Sequence, residues 1–161
     1  MNRVLRDLII ELEDEINNND WEEVYTYVSN TNSTLVGEFT WTMMSAGLDL
    51  MSYIKRQKWI PYRFFANTPL KSFIIPEGVT DIGNEAFAYC DNLNSVTIPS
   101  SIEDIGSWVF SFCLNLTSII YNGTKDQWES IKKDSKWNYS SSIKKIICID
   151  GDIELRMEGG N

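Results

Sequence analysis

Six apolar positions recur at an interval of 23 residues, and this spacing constrains the chain more than any other property. Ile75, Ile82, Phe87, Cys90, Leu93 and Val96 are matched by Ile98, Ile105, Phe110, Cys113, Leu116 and Ile119. Ile75-Pro76 and Ile82-Gly83 in the first copy become Ile98-Pro99 and Ile105-Gly106 in the second. A fixed period of this length marks a solenoid, in which each unit buries its apolar face only against its neighbours. The interval also reaches backward. Phe64, Asn67, Leu70, Phe73 and Ile75 precede Phe87, Cys90, Leu93, Val96 and Ile98 by the same 23 residues, so residues 60–74 read as a truncated first repeat. The apolar-x-x-apolar-x-apolar pattern of residues 93–98 returns at 70–75, 116–121 and 143–148, the last copy after 27 residues. Four copies of one short strand stack as a parallel sheet, about 4.8 Å apart.

The unit spelled by Ile75, Pro76, Val79, Ile82, Gly83, Ala86, Phe87, Cys90, Leu93 and Val96 resembles the BspA-type leucine-rich repeats. The resemblance is close over residues 75–120 and recognisable over about 60–152. Trp108-Val109 before Phe110, and Asn67 where a cysteine is common, depart from it. Residues 121–128, Trp137 and residues 148–151 look like the closing segment such arrays carry. The implied fold is α/β, a short leucine-rich-repeat solenoid with a parallel inner sheet, an N-terminal helical cap and a C-terminal helix-plus-hairpin cap. The expected division is 1–58 for the helical cap, 59–120 for the repeats and 121–161 for the closing segment.

In the first third, Leu5, Leu8, Ile9, Leu12 and Ile16 fall on one side of a helix spanning 2–17. Asp20 opens a second helix, with Glu23 three residues on as a capping box. A third helix is expected over 35–45 with Gly47 at its C-cap, and a short one over 49–57. The segment is too apolar to stand alone and suits a cover for the first coil, which would otherwise expose unpaired backbone. Inside each repeat, 79–82 and 101–105 read as outer strands, Gly83 and Gly106 as sharp bends, and 85–89 and 108–112 as a helical turn driving Phe87 and Phe110 inward. Thr124 and Gln127 form a capping box ahead of Trp128 and Ile131. Asp150-Gly151 signals a hairpin between 146–149 and 152–157 that closes the C-terminal edge, with 159–161 frayed.

Histidine is absent, which removes the commonest general base, the usual nucleophile pairs and the commonest metal ligand. There is no glycine-rich phosphate loop. Asp81 and Asp104 sit at one repeat position and read as solvated outer-strand residues, not as a paired-carboxylate hydrolase or a calcium site. Three cysteines without paired spacing read as buried thiols. No enzymatic activity, cofactor or metal is expected. The net charge of −9 argues against a nucleic-acid backbone as direct ligand. No apolar run is long enough for a membrane span, and acidic residues interrupt the start of the chain, so a cytoplasmic location is expected.

Function by this reading is protein–protein contact. The positions flanking the middle apolar residue of each inner strand point outward. They form one row of Ser72, Ser95, Ser118 and Lys145, and another of Ile74, Thr97, Ile120 and Ile147. Three outward isoleucines exceed what solubility asks for, and mark a contact strip for a protein partner or for a second copy of the chain. Three alternatives stay open, the last in rank being a carboxylate-based hydrolase. One is a self-associating structural protein joined through the isoleucines. Another is a phage- or mobile-element-encoded inhibitor of a host nucleic-acid-binding defence enzyme. That inhibitor would use Glu11, Glu13, Asp14, Glu15, Asp20, Glu22 and Glu23 to mimic phosphates.

Overall fold

The computed structural model describes residues 1–156, so the expectations for Met157 and for residues 159–161 lie outside it. The cap consists of α1 (Arg3–Glu11), α2 (Glu13–Asn17), α3 (Trp21–Asn32), α4 (Val36–Ser45) and α5 (Leu50–Gln57). The expected helix over 2–17 is divided at Leu12, whose φ of −98° and ψ of 15° leave the helical region while its side chain stays buried. Asn2, Asp20 and Asp49 accept hydrogen bonds from the backbone N–H groups of Val4, Glu23 and Ser52, so three of these helices begin on side-chain caps. Only the Asp20 half of the expected capping box is found among the described residues.

The array has two parallel faces. The outer sheet runs β1 (Trp59–Ile60), β3 (Asp81–Ile82), β5 (Asp104–Ile105) and β7 (Lys132–Lys133). The inner sheet runs β2 (Ser72–Ile74), β4 (Ser95–Ile98), β6 (Ser118–Tyr121), β8 (Lys145–Cys148) and the antiparallel β9 (Gly151–Glu154). Residues expected in a closing segment thus supply a further coil. Its outer strand is β7, and Trp137 continues the aromatic row, 6.1 Å from Phe110. The 27-residue interval is explained by α6 (Lys125–Ser130), which is inserted ahead of β7. Thr124 and Gln127 complete its capping box in both directions, and Trp128 and Ile131 are buried.

The first coil is not aligned as the 23-residue interval suggests. Trp59 pairs with Asp81 and Ile60 with Ile82, an offset of 22 residues. Phe65, not Phe64, stacks on Phe87 at 5.3 Å, and Phe87 on Phe110 at 5.4 Å. Thr68, not Asn67, stands in the cysteine position, its Oγ1 donating to the Phe65 carbonyl that Cys90 Sγ also donates to. The lost residue is recovered between Thr68 and Leu70, where Pro69 alone spans what Asp91 and Asn92 span one coil on. From Ser72 onward the 23-residue register holds, Ser72 opposite Ser95 and Ile74 opposite Thr97. Phe64 is thereby released toward the cap, where Tyr25 meets it at 4.9 Å and Phe39 and Tyr53 pack around Tyr25. A Cβ on Gly37 would overlap the Ala66 carbonyl oxygen, so α4 rests directly on the backbone of the first coil.

Two local expectations are corrected. The segments around Phe87 and Phe110 are not helical. Glu85, Tyr89, Trp108 and Phe112 all have φ between 52° and 60°, as do Arg63 and Asn67 in the first coil. A helical segment would spend every N–H on its own coil. Here alternate residues bond outward instead: Glu85, Phe87 and Tyr89 donate to Ser107, Val109 and Ser111 of the next coil at 2.8–2.9 Å. Ala86 and Ala88 bond back to Gly83 and Glu85. Nor do Gly83 and Gly106 serve a bend, since neither has positive φ. A Cβ on Gly83 would lie 2.6 Å from the Ile60 carbonyl oxygen, and one on Gly106 would overlap Asn84 Oδ1. Both are glycine because the neighbouring coil passes too close for a side chain.

Candidate interaction surface

The inner sheet carries both expected rows in register. Ser72 faces Ser95 and Ser118 faces Lys145; Ile74 faces Thr97, Thr97 faces Ile120, and Ile120 faces Ile147. Phe73, Val96, Ile119 and Ile146 alternate with them and point to the core, where all but the half-buried Phe73 are fully buried. Ile74 is 73% exposed and Ile120 39%, while Thr97 and Ile147 are partly covered. Lys71, Asn94, Thr117 and Lys144 precede the strands and are exposed, with the Asn94 and Lys144 N–H groups bonded to the Lys71 and Thr117 carbonyls. The C-terminal hairpin does more than close an edge. It adds β9 to the same face, placing Asp152 opposite Ile147 and Glu154 opposite Lys145, with Lys145 Nζ 3.3 Å from Asp152 Oδ2. The face therefore grades from bare isoleucine at β2 to paired charges at β9.

The acidic residues of the cap are spread over three helices. Glu11 lies in α1, Glu13, Asp14 and Glu15 in α2, and Glu22 and Glu23 in α3, with Asp20 at its cap. Glu15 is half-buried and the rest are exposed. Two are already engaged. Glu11 accepts a 2.6 Å hydrogen bond from Tyr27, which holds the Tyr27 hydroxyl above its ordinary pKa, and Asp20 is occupied by the Glu23 N–H.

Asp81 and Asp104 are opposite one another in the outer sheet, as expected, and Lys132 follows in the next rung. Lys132 Nζ lies 2.9 Å from Asp104, whose hydrogen bond and charge raise the lysine pKa. No group of residues able to hold a metal ion is found among the described residues. Cys90, Cys113 and Cys148 are unpaired and buried, and desolvation pushes all three thiols up, Cys113 to about 12. No helix among the described residues is long and apolar enough to cross a membrane.

One surface escaped the sequence reading. Tyr89, Trp108, Phe112 and Tyr139 are all exposed and line a groove of about 280 Å³ over Ala88 and Ser111. Tyr89 and Phe112 stack at 5.0 Å and 8°, and Lys136 Nζ lies 5.6 Å from the Trp108 ring. Tyr89, Trp108 and Phe112 are left-handed residues at the ends of their turns, and that conformation turns their side chains outward; Tyr139 precedes the left-handed Ser140. The sequence signal was there. Tyr89 and Phe112 are one repeat apart, two positions beyond the buried Phe87 and Phe110.

Comparison with known proteins adds three findings. A family model described as BspA type leucine rich repeat region, in six copies, matches residues 58–153, more than half of the chain. The crystal structure of a leucine rich cell surface protein from Faecalibacterium prausnitzii A2-165 is similar at 43% identity and a TM-score of 0.47. That similarity covers 48% of this chain and 21% of the other, so the chain spans about a fifth of that protein. No curated protein matches.

Proposed function

The chain belongs to the BspA-type leucine-rich repeat family, and from that premise we propose that it is a non-catalytic module whose inner sheet binds a protein partner. The observation carrying this reading is the row of Ile74, Thr97, Ile120 and Ile147, aligned rung by rung on an uncovered sheet face. Covering the three isoleucines contributes on the order of 5 kcal/mol before the cost of association. That is too little alone, so Lys71, Asn94, Thr117 and Lys144 at one margin, and Ser72, Ser95, Ser118 and Lys145 beside the row, complete the contact. Three unpaired thiols suit a reducing compartment, and the proposed setting is the cytoplasm. The acidic-cap reading has less support, because Glu11 and Asp20 are engaged within the cap itself.

The test is affinity capture at low and high salt, with a variant carrying Ile74→Lys, Ile120→Lys and Ile147→Lys alongside. A partner held at high salt and lost by the variant supports the inner face. One released by salt yet kept by the variant would overturn it in favour of the acidic cap.

A further inference from the structure

A sheet has two edges, and this chain protects them unequally. Strands at an edge show unpaired main-chain groups, and stable proteins guard them with charge, brevity or cover. The outer sheet ends at β1, only two residues long and joined directly to α5, and at β7, which is Lys132-Lys133. The inner sheet ends on one side at β9. There Leu155 N–H bonds to Lys144 O, and the pairing of residues 145 and 146 with 154 and 153 turns the main-chain groups of Asp152 and Glu154 outward, each beside its own carboxylate.

On the other side β2 has no such guard. Lys71 O accepts from Asn94 N–H and Ile75 N–H donates to Thr97 O, so the alternate residues 71, 73 and 75 face β4. The N–H and C=O groups of Ser72 and Ile74 therefore point away from β4, and among the described residues no other strand pairs with β2. This edge presents two donors and two acceptors, uncharged side chains, and the most exposed isoleucine of the face. Beside it lies a cleft of about 470 Å³ lined by Met51 and Lys55 of α5 with Ile74, Pro76 and Glu77.

We infer that this cleft accepts an extended segment of a partner polypeptide, which adds to β2 as a sixth strand of the inner sheet. Main-chain pairing with Ser72 and Ile74 would hold the segment, as in other sheets extended at an edge. Its side chains are apolar where they cover Ile74 and Met51. They are acidic where they meet Lys55 in the cleft and Lys71 beside the edge, two cations against the one acid, Glu77. Stacking of a second whole array is opposed because the helical cap already occupies the end of the first coil. The segment would lie along the isoleucine face, so the inference extends the proposed function, though it rests on the main chain of β2 and not on that face.

The probe is a capped heptapeptide of alternating valine and glutamate, titrated into the isotopically labelled chain while amide exchange is followed residue by residue. The Ser72 and Ile74 amides should slow by about tenfold or more near saturation, and those of Asp152 and Glu154 should not change. The same peptide N-methylated at every second residue should lose binding in one phase and keep it in the other, because only one phase faces β2. Ile74→Pro, which removes a pairing N–H, should weaken binding; if that variant fails to fold, the N-methyl pair decides alone. Ile120→Lys should leave the peptide bound, separating failure of the face from failure of the edge. Unchanged exchange at Ser72 and Ile74 with millimolar peptide, or equal binding of both N-methylated forms, would overturn the inference. So would a dimer in sedimentation that Ile74→Pro abolishes, since the edge would then belong to a second copy.

Discussion

Replacing Gly83 with alanine tests the claim that coil spacing, and not chain reversal, dictates glycine in this repeat. The added Cβ would sit 2.6 Å from the Ile60 carbonyl oxygen, 2.9 Å from the Tyr62 nitrogen and 3.0 Å from the Pro61 carbonyl carbon. All three are backbone atoms of the preceding coil, so no side chain can swing aside. An ordinary carbon–oxygen contact of about 3.5 Å requires the two coils to part by nearly 1 Å at that rung. The Gly83 N–H···O Ile60 hydrogen bond, now 2.8 Å, would be stretched past useful length. Overpacking costs roughly 1–3 kcal/mol and the lost bond about 1 kcal/mol. Alanine's smaller unfolded-state entropy returns about 0.5–1 kcal/mol. The net loss is about 1–3.5 kcal/mol, or roughly 2–14 °C in Tm for a chain of this size. Gly78 is the control. Its φ is +93° and a Cβ there meets nothing within 4 Å, so Gly78→Ala carries left-handed strain of about 1–2 kcal/mol, offset by the same unfolded-state gain of about 0.5–1 kcal/mol, and Gly78→Asn should relieve part of the strain. Urea titration followed by tryptophan fluorescence measures both. If Gly83→Ala is no more costly than Gly78→Ala, or if Gly83→Asn recovers stability as Gly78→Asn does, close approach is the wrong explanation.

Two further outcomes follow from the core. Phe110→Ala removes the middle of the row Phe87, Phe110 and Trp137 and should cost about 3–5 kcal/mol, read by the same titration; a loss under about 1 kcal/mol would show that the neighbouring coils close over the gap. Burial raises the Cys113 thiol from its ordinary 9.0 to about 12, so between these values the unfolded chain has released a proton that the folded chain keeps. Stability is therefore full below pH 9 and declines as pH rises toward 12. Buried Tyr25 contributes in the same direction, and comparison with Cys113→Ala isolates the thiol: the variant should show a shallower alkaline decline, whereas an equal slope would refute the assignment.

The solenoid was legible because its period is carried by residues that must all be buried together. Ile82, Phe87, Cys90, Leu93 and Val96 each meet a like residue one coil away, and their interval alone sets the stacking. What was not legible depends on main-chain geometry. Residues 85–89 have the composition of a helical turn, yet the need to bond the next coil puts Glu85 and Tyr89 in the left-handed region. A one-residue deficit in the first coil shifted Phe65 into a row that the spacing assigned to Phe64. The alignment of the inner rows was legible because strand alternation leaves no freedom. The aromatic groove was not, because it depends on the same left-handed turns. The unguarded edge at β2 becomes visible only when the hydrogen bonds of each strand are followed one by one.

The stack of Phe65, Phe87 and Phe110 between two caps has a consequence for how such a chain can change. Each coil offers its successor nearly the surface that it received from its predecessor. A duplicated stretch of 23 residues could therefore be spliced between β4 and β6 without disturbing either end. The recognition face would not deform; it would lengthen by one rung, about 4.8 Å, with one more residue in each outward row. Growth of this kind is counted in whole steps, so the footprint offered to a partner is an inheritable integer.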